Sequence, residues 1–331
     1  MNNEDNCKTI DMHCDTLMRA YFRDKDDLFM CPEFDLDISR MIESGMMAQF
    51  FAIFVPSEKE YARYKKEYKG DDEYIDKCAS IFNHTIQKHA DVLAKATNAK
   101  DILNNYASHK VSAILTMEDG VAVQGDMKKL DYFYSLGVRA LSLTWNYENC
   151  FGYPNSKDPE IMQKGLKDFG KEAVKHMQEI GMLVDVSHLS DGGFYDVYKL
   201  SKVPFIATHS NARALCNHSR NMTDDMILKL HEKGGVMGIN ICPEFLDDTR
   251  GNKDSKISRL CDMIEHEKEI AGIEVCAIGT DIDGTHGNFE MKGPCDSNKL
   301  FDELIRRGFS TGDIEKIAYK NIIRVLNEAG I

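Results

Sequence analysis

Eight short runs rich in β-branched and aromatic residues alternate with helical stretches along this chain. The runs lie at residues 9–12, 47–55, 111–117, 140–143, 183–186, 205–208, 236–240 and 275–279. The helical patterns between them include residues 72–89, 127–135, 166–180, 192–200, 224–233 and 257–271. Regular alternation of this kind is typical of α/β proteins with parallel strands.

The eight βα units predict one (β/α)8 barrel of the TIM type, forming a single domain over residues 1–331. No linker rich in Pro, Ser or Gly interrupts them. An acidic, Tyr- and Lys-rich insert at residues 56–70 and a C-terminal helix pair elaborate the barrel. The competing layout, an open doubly wound sheet, requires a Gly-rich loop after the first strand. Residues 11–15 contain no glycine, so we expect the barrel.

The composition excludes several classes of partner. The chain has 41 Lys and Arg against 54 Asp and Glu, a net charge of −13, and no run of basic residues is longer than two. Nucleic acids and anionic membranes need basic patches, so neither is an expected partner.

The longest purely apolar run, residues 50–55, is too short for a bilayer, and neither end carries a secretory or lipid-anchor pattern. The 10 cysteines form no C-x-x-C pair and indicate reduced thiols. We therefore expect a cytoplasmic protein.

Polar residues of the types that bind metals follow five of the predicted strands. Strand 1 leads to His13 and Asp15, strand 3 to Glu118, strand 5 to His188, strand 6 to His209 and strand 8 to Asp281. In a barrel the carboxyl ends of all strands meet at one face. Imidazole and carboxylate ligands predict a site for zinc or a similar divalent ion. The first five residues exceed the needs of one tetrahedral zinc, and a carboxylate such as Glu118 can bridge two ions that generate a hydroxide for hydrolysis.

Each of these residues also has an ordinary structural explanation. A strand-end histidine often only forms hydrogen bonds, and an acidic residue there commonly caps the next helix. Similar residues at the same end of five strands favour the metal site. Cys14 is expected to point away from its neighbours, since alternate strand residues face opposite sides. Six other histidines, in or beside helical stretches, are expected to be solvated or capping: His84, His89, His109, His176, His231 and His266.

Several blocks of the chain resemble the membrane dipeptidases (renal dipeptidases), zinc peptidases that hydrolyse dipeptides. The blocks are residues 10–15, 116–120, 141–144, 184–190, 204–225, 278–284 and 321–325. The most specific is His-Ser-Asn-Ala at residues 209–212, followed by Ser-Arg-Asn at residues 219–221. The resemblance implies two zinc ions per chain, with His13, Asp15 and Glu118 on one ion and Glu118, His188 and His209 on the other.

The resemblance also implies roles for two residues outside the ligand set. Arg220 would hold the substrate's carboxylate, and Asp281 would handle a proton near the solvent that bridges the ions. The residue types agree with these roles, because a guanidinium suits a bidentate grip on a carboxylate. A surface arginine in a loop is the alternative for Arg220. Asp281 could be a sixth ligand, a helix cap or a base, and we favour the base.

Strand 4 departs from the family pattern. The members that this chain resembles carry a substrate-contacting histidine after the Leu-Thr of this strand, where this chain has Trp145, followed by Asn146 and Tyr147. Either Asn146 or Tyr147 stabilises the oxyanion, or the second metal carries that load alone. Trp145 can wall the substrate pocket.

We therefore predict a zinc-dependent dipeptidase that cleaves small dipeptides with a free C-terminal carboxylate through a metal-bridging hydroxide. The resemblance suggests tolerance of a D-residue on the C-terminal side. The alternative is a related metal-dependent amidohydrolase acting on a cyclic amide or a lactone, although such barrels often use His-x-His and a carboxylated lysine. A non-catalytic barrel would show gaps among the ligand positions, and none is present. The sequence is compatible with a homodimer.

Overall fold

The fold is a closed barrel of eight parallel strands. The computed structural model of the protein describes residues 8–331. The barrel strands are β1 (Ile10–Asp11), β2 (Ala48–Phe54), β3 (Val111–Glu118), β4 (Val138–Ser142), β5 (Leu183–Asp185), β6 (Ile206–Ala207), β7 (Val236–Ile239) and β8 (Cys276–Ile278). They pair in the order β2-β1-β8-β7-β6-β5-β4-β3, and the ring closes where β3 pairs with β2. The predicted (β/α)8 fold is confirmed.

The two longest strands, β2 and β3, end side by side at the carboxyl end of the barrel. β2 and β3 pair in parallel from Ala48 and Ser112 to Phe54 and Glu118. Every residue of both strands is buried, as expected when helices cover one face and side chains fill the other. Because of this register, Glu118 ends β3 at the carboxyl face of the barrel.

Helices cover the outside of the barrel. They are α1 (Thr16–Phe22), α2 (Ile38–Glu43), α3 (Glu58–Arg63), α4 (Asp71–Lys88), α5 (Ala99–Ala107), α6 (Met127–Leu136), α7 (Pro159–Met162), α8 (Asp168–Ile180), α9 (Asp191–Leu200), α10 (Asp224–Glu232), α11 (Pro243–Leu246), α12 (Ile257–Ala271), α13 (Ser297–Arg306), α14 (Thr311–Glu315) and α15 (Asn321–Glu328). Short 3-10 helices lie at Gly120–Val123, Ile273–Val275 and Pro294–Asp296, and a π-helical turn lies at Lys316–Lys320. Between residues 8 and 331, none of the helices combines the length and the apolar character that a bilayer crossing requires.

Two small additions to the barrel were not predicted from the sequence. The strand Leu93–Lys95 pairs with the start of β3, next to the point where β4 begins its own pairing with β3. A separate pair of two-residue strands joins Asp254–Ser255 to Asn288–Phe289. Runs of two or three residues carry too little periodicity to be recognised as strands.

The C-terminal helix closes the amino end of the barrel. An apolar cluster joins Ile10, Phe50 and Ile114 of the strands to Ile322 and Val325 of α15. The side-chain amide of Asn321 donates hydrogen bonds to the carbonyl oxygens of residues 273 and 276, just before and at the start of β8. Because α15 covers the amino end, we expect a functional site at the carboxyl end of the barrel.

Candidate metal centre

The five predicted ligands meet at the carboxyl face of the barrel. His13 and Asp15 follow β1, Glu118 ends β3, His188 follows β5 and His209 follows β6. All five side chains are buried. The structure thus gathers residues that are far apart in sequence into one cluster.

The carboxylate of Glu118 lies at the middle of this cluster. Its Oε2 atom is 3.4 Å from Nε2 of His13. Its Oε1 atom is 2.9 Å from Nε2 of His188 and 3.5 Å from Nε2 of His209. Nε2 of His13 is also 3.9 Å from Oδ1 of Asp15. The two oxygens of Glu118 therefore face two different groups of ligands, as a carboxylate bridging two ions must.

Unsatisfied buried atoms indicate that the cluster fits a metal. Nε2 of His13 and Oδ1 of Asp15 are buried and find no hydrogen-bond partner in the part of the chain that the structure describes. Such atoms are rare because losing water without a new partner is costly, and a bound cation would satisfy both. Two overlapping groups have all their ligand atoms within 4.8 Å of one another: His13, Glu118 and His209, and His13, Asp15 and Asp281. Imidazole nitrogen and carboxylate oxygen are donors that zinc accepts.

The Asp15 carboxylate does not cap the helix that follows it. This residue occupies the N-cap position of α1, but its side chain makes no capping hydrogen bond. Asp37, at the same position of α2, accepts a hydrogen bond from the backbone N–H of Arg40. The Asp15 carboxylate therefore faces the cluster instead of the helix that it precedes.

A chain of hydrogen bonds fixes the tautomer of His209. The hydroxyl of Thr208 donates to Oδ2 of Asp185 at 2.6 Å, and it lies 2.8 Å from Nδ1 of His209. Since the hydroxyl proton is already used, the hydroxyl oxygen accepts the proton of Nδ1, and Nε2 of His209 is left as a free donor atom for a metal. Asp185 also accepts hydrogen bonds from Ser142 and from the backbone N–H of Ser187. This support is not predictable from the sequence, because it depends on the pairing of β4, β5 and β6.

Asn146 fixes His188 in a similar way. Its Oδ1 atom lies 3.2 Å from Nδ1 of His188, so the amide oxygen accepts the Nδ1 proton and Nε2 faces Glu118. His188 has a φ of 68°, in the left-handed region that side chains rarely adopt. Strain of this kind clusters at functional sites, where the surroundings impose it.

Burial and neighbouring charges shift the pKa values of the candidate ligands in different directions. Burial lowers the pKa of His188 to about 4, with Arg220 adding to the effect, and burial also lowers the pKa of His209 well below its ordinary value. Neutral imidazole is the form that binds metals. Burial opposes a charge on His13 as well, but the Glu118 carboxylate raises the pKa of His13 to about 10, so this side chain would release a proton on binding a metal. Glu118 is itself buried, and His13 nevertheless holds its pKa well below the usual range, so the carboxylate is ionised.

Asp281 borders the cluster at the end of β8. Its Oδ2 atom accepts a hydrogen bond of 3.1 Å from the amide of Asn240, and its backbone is left-handed, with a φ of 65°. A Cβ atom at Gly284 would collide with the carboxylates of Asp15 and Asp281, so only glycine allows the loop after β8 to pack here. Burial raises the pKa of Asp281 to about 6. The position suits either a ligand or a proton acceptor.

Arg220 is a buried guanidinium without an anion. Nη2 donates to the carbonyl oxygen of His209 at 3.0 Å, and Nη1 donates to the hydroxyl of Ser210 at 3.2 Å. Nε is buried and makes no hydrogen bond, and no carboxylate within residues 8–331 forms an ion pair with the side chain. A buried charge needs a partner, which a substrate carboxylate would provide. These contacts exclude the alternative of a surface arginine.

The structure separates the residues that follow β4. Trp145 and Asn146 line the cavity over the cluster, and the Trp145 ring packs against Phe54 with 4.7 Å between ring centroids. Tyr147 is 47 % exposed and lines a different, smaller cleft. The structure therefore places Trp145 and Asn146 where a substrate could touch them and does not bring Tyr147 to the cavity.

Cys14 and three of the helix-associated histidines have partners outside the cluster. The Cys14 thiol donates to the carbonyl oxygen of Phe50 at 3.4 Å. Three of the helix-associated histidines pair with aspartates through Nε2: His89 with Asp27, His176 with Asp131 and His266 with Asp224.

A cavity of about 600 Å³ opens above the cluster. Asp15, Glu118, His188 and Asp281 form part of its wall, so a ligand in the cavity can reach the metal-binding atoms. Its size is in the range that encloses small molecules.

Comparison with known proteins identifies the family. Residues 4–330 match the family model described as membrane dipeptidase (peptidase family M19). The dipeptidase aclJ of Aspergillus oryzae is 29 % identical over 319 residues, which cover 94 % of this chain and 73 % of that protein. An uncharacterized protein of Klebsiella pneumoniae, encoded in the pqqA 5′ region, is 30 % identical over 254 residues, covering 75 % of this chain and 93 % of that protein.

A solved structure is also similar to this chain over nearly its whole length. The metallopeptidase of Rhodobacter sphaeroides, crystallised with a phosphinate mimic of the dipeptide L-Ala-D-Ala, superposes with a TM-score of 0.86 at 25 % identity. The match covers 98 % of this chain and 100 % of that one. The resemblance predicted from the sequence is thus confirmed. The chain belongs to the membrane dipeptidase family, peptidase family M19, and is an enzyme of the metallo-dipeptidase type.

Proposed function

We propose that this chain is a zinc-dependent dipeptidase that holds two zinc ions and cleaves small dipeptides with a free C-terminal carboxylate. The position of Glu118 carries the proposal, because its two oxygens face His13 on one side and His188 and His209 on the other. His13, Asp15 and Glu118 would hold one ion, and Glu118, His188 and His209 would hold the other. The buried, unpartnered atoms of His13 and Asp15 support this division.

The chain's own residues would orient the substrate and move the proton. When bound, the ions would supply Lewis acidity and lower the pKa of a water molecule. Arg220 would bind the terminal carboxylate, since its guanidinium is buried and lacks an anion. Asp281, held by Asn240 at the edge of the cluster, would accept a proton from water and pass it to the leaving amine. Trp145 would wall the cavity on the side of Phe54.

The proposal includes dipeptides whose C-terminal residue has the D configuration. The phosphinate in the Rhodobacter sphaeroides structure mimics L-Ala-D-Ala, and that protein matches this chain over nearly its whole length. Dipeptides of both configurations therefore belong in the first activity panel.

We also place this activity in the cytoplasm and in a single domain over residues 1–331, in keeping with the acidic composition and the uninterrupted βα pattern. Cell fractionation tests the location, and limited proteolysis tests the domain organisation. Light scattering of the purified protein distinguishes a homodimer from a monomer.

Metal analysis combined with a Glu118→Gln variant tests the proposed function. The purified protein should contain about two zinc ions per chain and release free amino acids from L-Ala-L-Ala or L-Ala-D-Ala. Chelation should abolish this release, and added zinc should restore it. Glu118→Gln should lose most metal and activity, whereas Glu179→Gln, an exposed change on α8, should lose neither. Full activity with one ion per chain, or in the Glu118→Gln variant, would refute the bridge.

A further inference from the structure

Two arginines that form no ion pair among the described residues lie on the wall of the cavity. Arg23 directly follows α1, and Arg63 is the last residue of α3. Both side chains are exposed and line the cavity that contains Glu118 and Asp281. Neither guanidinium makes a hydrogen bond or an ion pair within the described residues, although the Arg63 guanidinium lies over the Tyr64 ring, 5.9 Å from its centroid.

Aromatic stacking brings these two arginines to the same side of the cavity. The rings of Phe22 and Tyr64 stack with centroids 4.2 Å apart and planes inclined by 11°. Arg23 is the residue after Phe22, and Arg63 is the residue before Tyr64. The contact that joins the end of α1 to the end of α3 therefore also places both arginines on the wall of one cavity, where an anion would attract both.

The other charged groups of the cavity wall have partners other than Arg23 and Arg63. Arg19 and Asp283 bind each other at 3.0 Å. The Glu60 carboxylate accepts hydrogen bonds from the backbone N–H and the hydroxyl of Ser57 in the capping box of α3. The remaining carboxylates, those of residues 15, 118 and 281, belong to the metal centre. Arg23 and Arg63 are thus the two arginines of the cavity wall that form no ion pair with its carboxylates, in a chain whose net charge is −13.

The spacing from the metal centre suits a dipeptide side chain. Asp15, Arg19 and Arg23 recur every four residues through α1, so they lie along one face of the helix. Arg23 is about 12 Å beyond Asp15 along the helix axis, and two extended residues span about 7 Å. A long arginine side chain can close the difference to a group projecting from a dipeptide whose peptide bond lies at the metal centre.

We infer that Arg23 and Arg63 select dipeptides that carry a side-chain carboxylate. This inference rests on the proposed dipeptidase function and adds the substrate class. The two guanidinium groups would form charge-assisted hydrogen bonds to the side-chain carboxylate while Arg220 binds the terminal one. They would also attract anionic substrates toward the cavity, an effect that salt weakens.

The test compares substrates that differ only in one charge. Rates are measured for L-Ala-L-Ala, for L-Asp-L-Ala with its amide counterpart L-Asn-L-Ala, and for L-Ala-L-Glu with L-Ala-L-Gln. We expect kcat/KM to favour the acid of at least one pair by about three- to tenfold at low salt. The preference should shrink in 0.5 M salt, which shortens the screening length to a few ångströms.

Variants assign the preference to the two arginines. Arg23→Gln and Arg63→Gln should each lower the acid-to-amide ratio, and the double variant should bring it close to one. Arg250→Gln, an exposed arginine outside the cavity, removes the same charge and should leave the ratio unchanged. Hydrolysis of L-Ala-L-Ala with an acid-to-amide ratio of one in the unmodified enzyme would overturn this inference alone. Failure of the zinc-loaded enzyme to cleave any of the five dipeptides would overturn the proposed function and this inference with it.

Discussion

The amide oxygen of Asn146 lies 3.2 Å from Nδ1 of His188. The loop after β4 therefore supports a ligand that follows β5, and Asn146 has a partner other than the substrate. A metal-binding histidine that donates its second ring proton to a fixed acceptor keeps one tautomer and one orientation. Asn146 thus holds the ring of a candidate metal ligand in addition to lining the cavity.

Replacing Asn146 by alanine should weaken metal binding. Loss of such a partner typically lowers metal affinity by about 10- to 100-fold, because the ring and its tautomer are no longer fixed. Titration of the metal-free protein with zinc against a chromophoric chelator measures the change. Tyr147→Ala, next in the chain but outside the cavity, should leave zinc affinity unchanged. Unchanged zinc affinity with a raised KM in Asn146→Ala would instead make Asn146 a substrate contact.

Arg220→Ala should impair cleavage of dipeptides that have a free C-terminal carboxylate. Removing one side of a buried charge pair costs about 2–5 kcal/mol, which kcat/KM reports as lost transition-state stabilisation. Dipeptides blocked as C-terminal carboxamides should be poor substrates already and should lose much less. Arg220→Lys keeps the positive charge but lacks the planar guanidinium. Its kcat/KM for free dipeptides should lie between the values of the unmodified enzyme and of Arg220→Ala. Equal losses for free and blocked dipeptides would show that Arg220 does not bind the carboxylate.

Asp281→Asn separates the two roles that the position of Asp281 allows. A proton shuttle that cannot accept a proton should lower kcat by about 10²- to 10⁴-fold while zinc content stays near that of the unmodified enzyme. A ligand should instead lose zinc. We expect normal zinc content, little change in KM and a reduced kcat. Loss of zinc would make Asp281 a ligand, and an unchanged kcat would assign the proton transfer to another group.

The strand ends were predictable because parallel strands in a barrel leave their last residues at one face. This single rule places His13, Glu118 and His209 together without knowledge of any helix position. The rule also makes the alternation of βα units sufficient to predict the fold. The alternation of βα units does not predict the short strand Leu93–Lys95, since three residues that pair only with the start of β3 carry no periodic pattern.

Contacts between the loops could not be predicted in the same way. The hydrogen bonds from Thr208 to Asp185 and from His188 to Asn146 depend on side-chain directions set by packing. From the sequence alone, Asn146 and Tyr147 are equally good candidates for stabilising the oxyanion. Only the course of the loop places Asn146 at a ligand and leaves Tyr147 exposed.

A buried carboxyl group far from the metal centre makes the stability of this fold depend on pH. Glu267 on α12 is 0 % exposed, and neither of its carboxyl oxygens finds a hydrogen-bond partner among residues 8–331. Burial therefore raises its pKa well above the ordinary value, so the folded protein holds a proton that the unfolded chain has already released. The free energy of unfolding should accordingly fall as pH rises from the unfolded pKa to the folded one, by up to about 1.4 kcal/mol per pH unit.

Glu267→Met removes the ionisable group and keeps a long side chain suited to a helix. Its free energy of unfolding, measured with urea on chelator-treated protein at pH 5, 6.5 and 8, should exceed that of the unmodified protein by a margin that grows with pH. Glu269→Met changes an exposed residue of the same helix and should show no growing margin, because its carboxyl group stays in contact with solvent in the folded protein. Chelation removes any bound metal from every sample, so protonation of the residues around Glu118 contributes equally to each and cancels in the differences. A margin for Glu267→Met that stays constant from pH 5 to pH 8 would show that Glu267 does not keep its proton in the folded protein over that range.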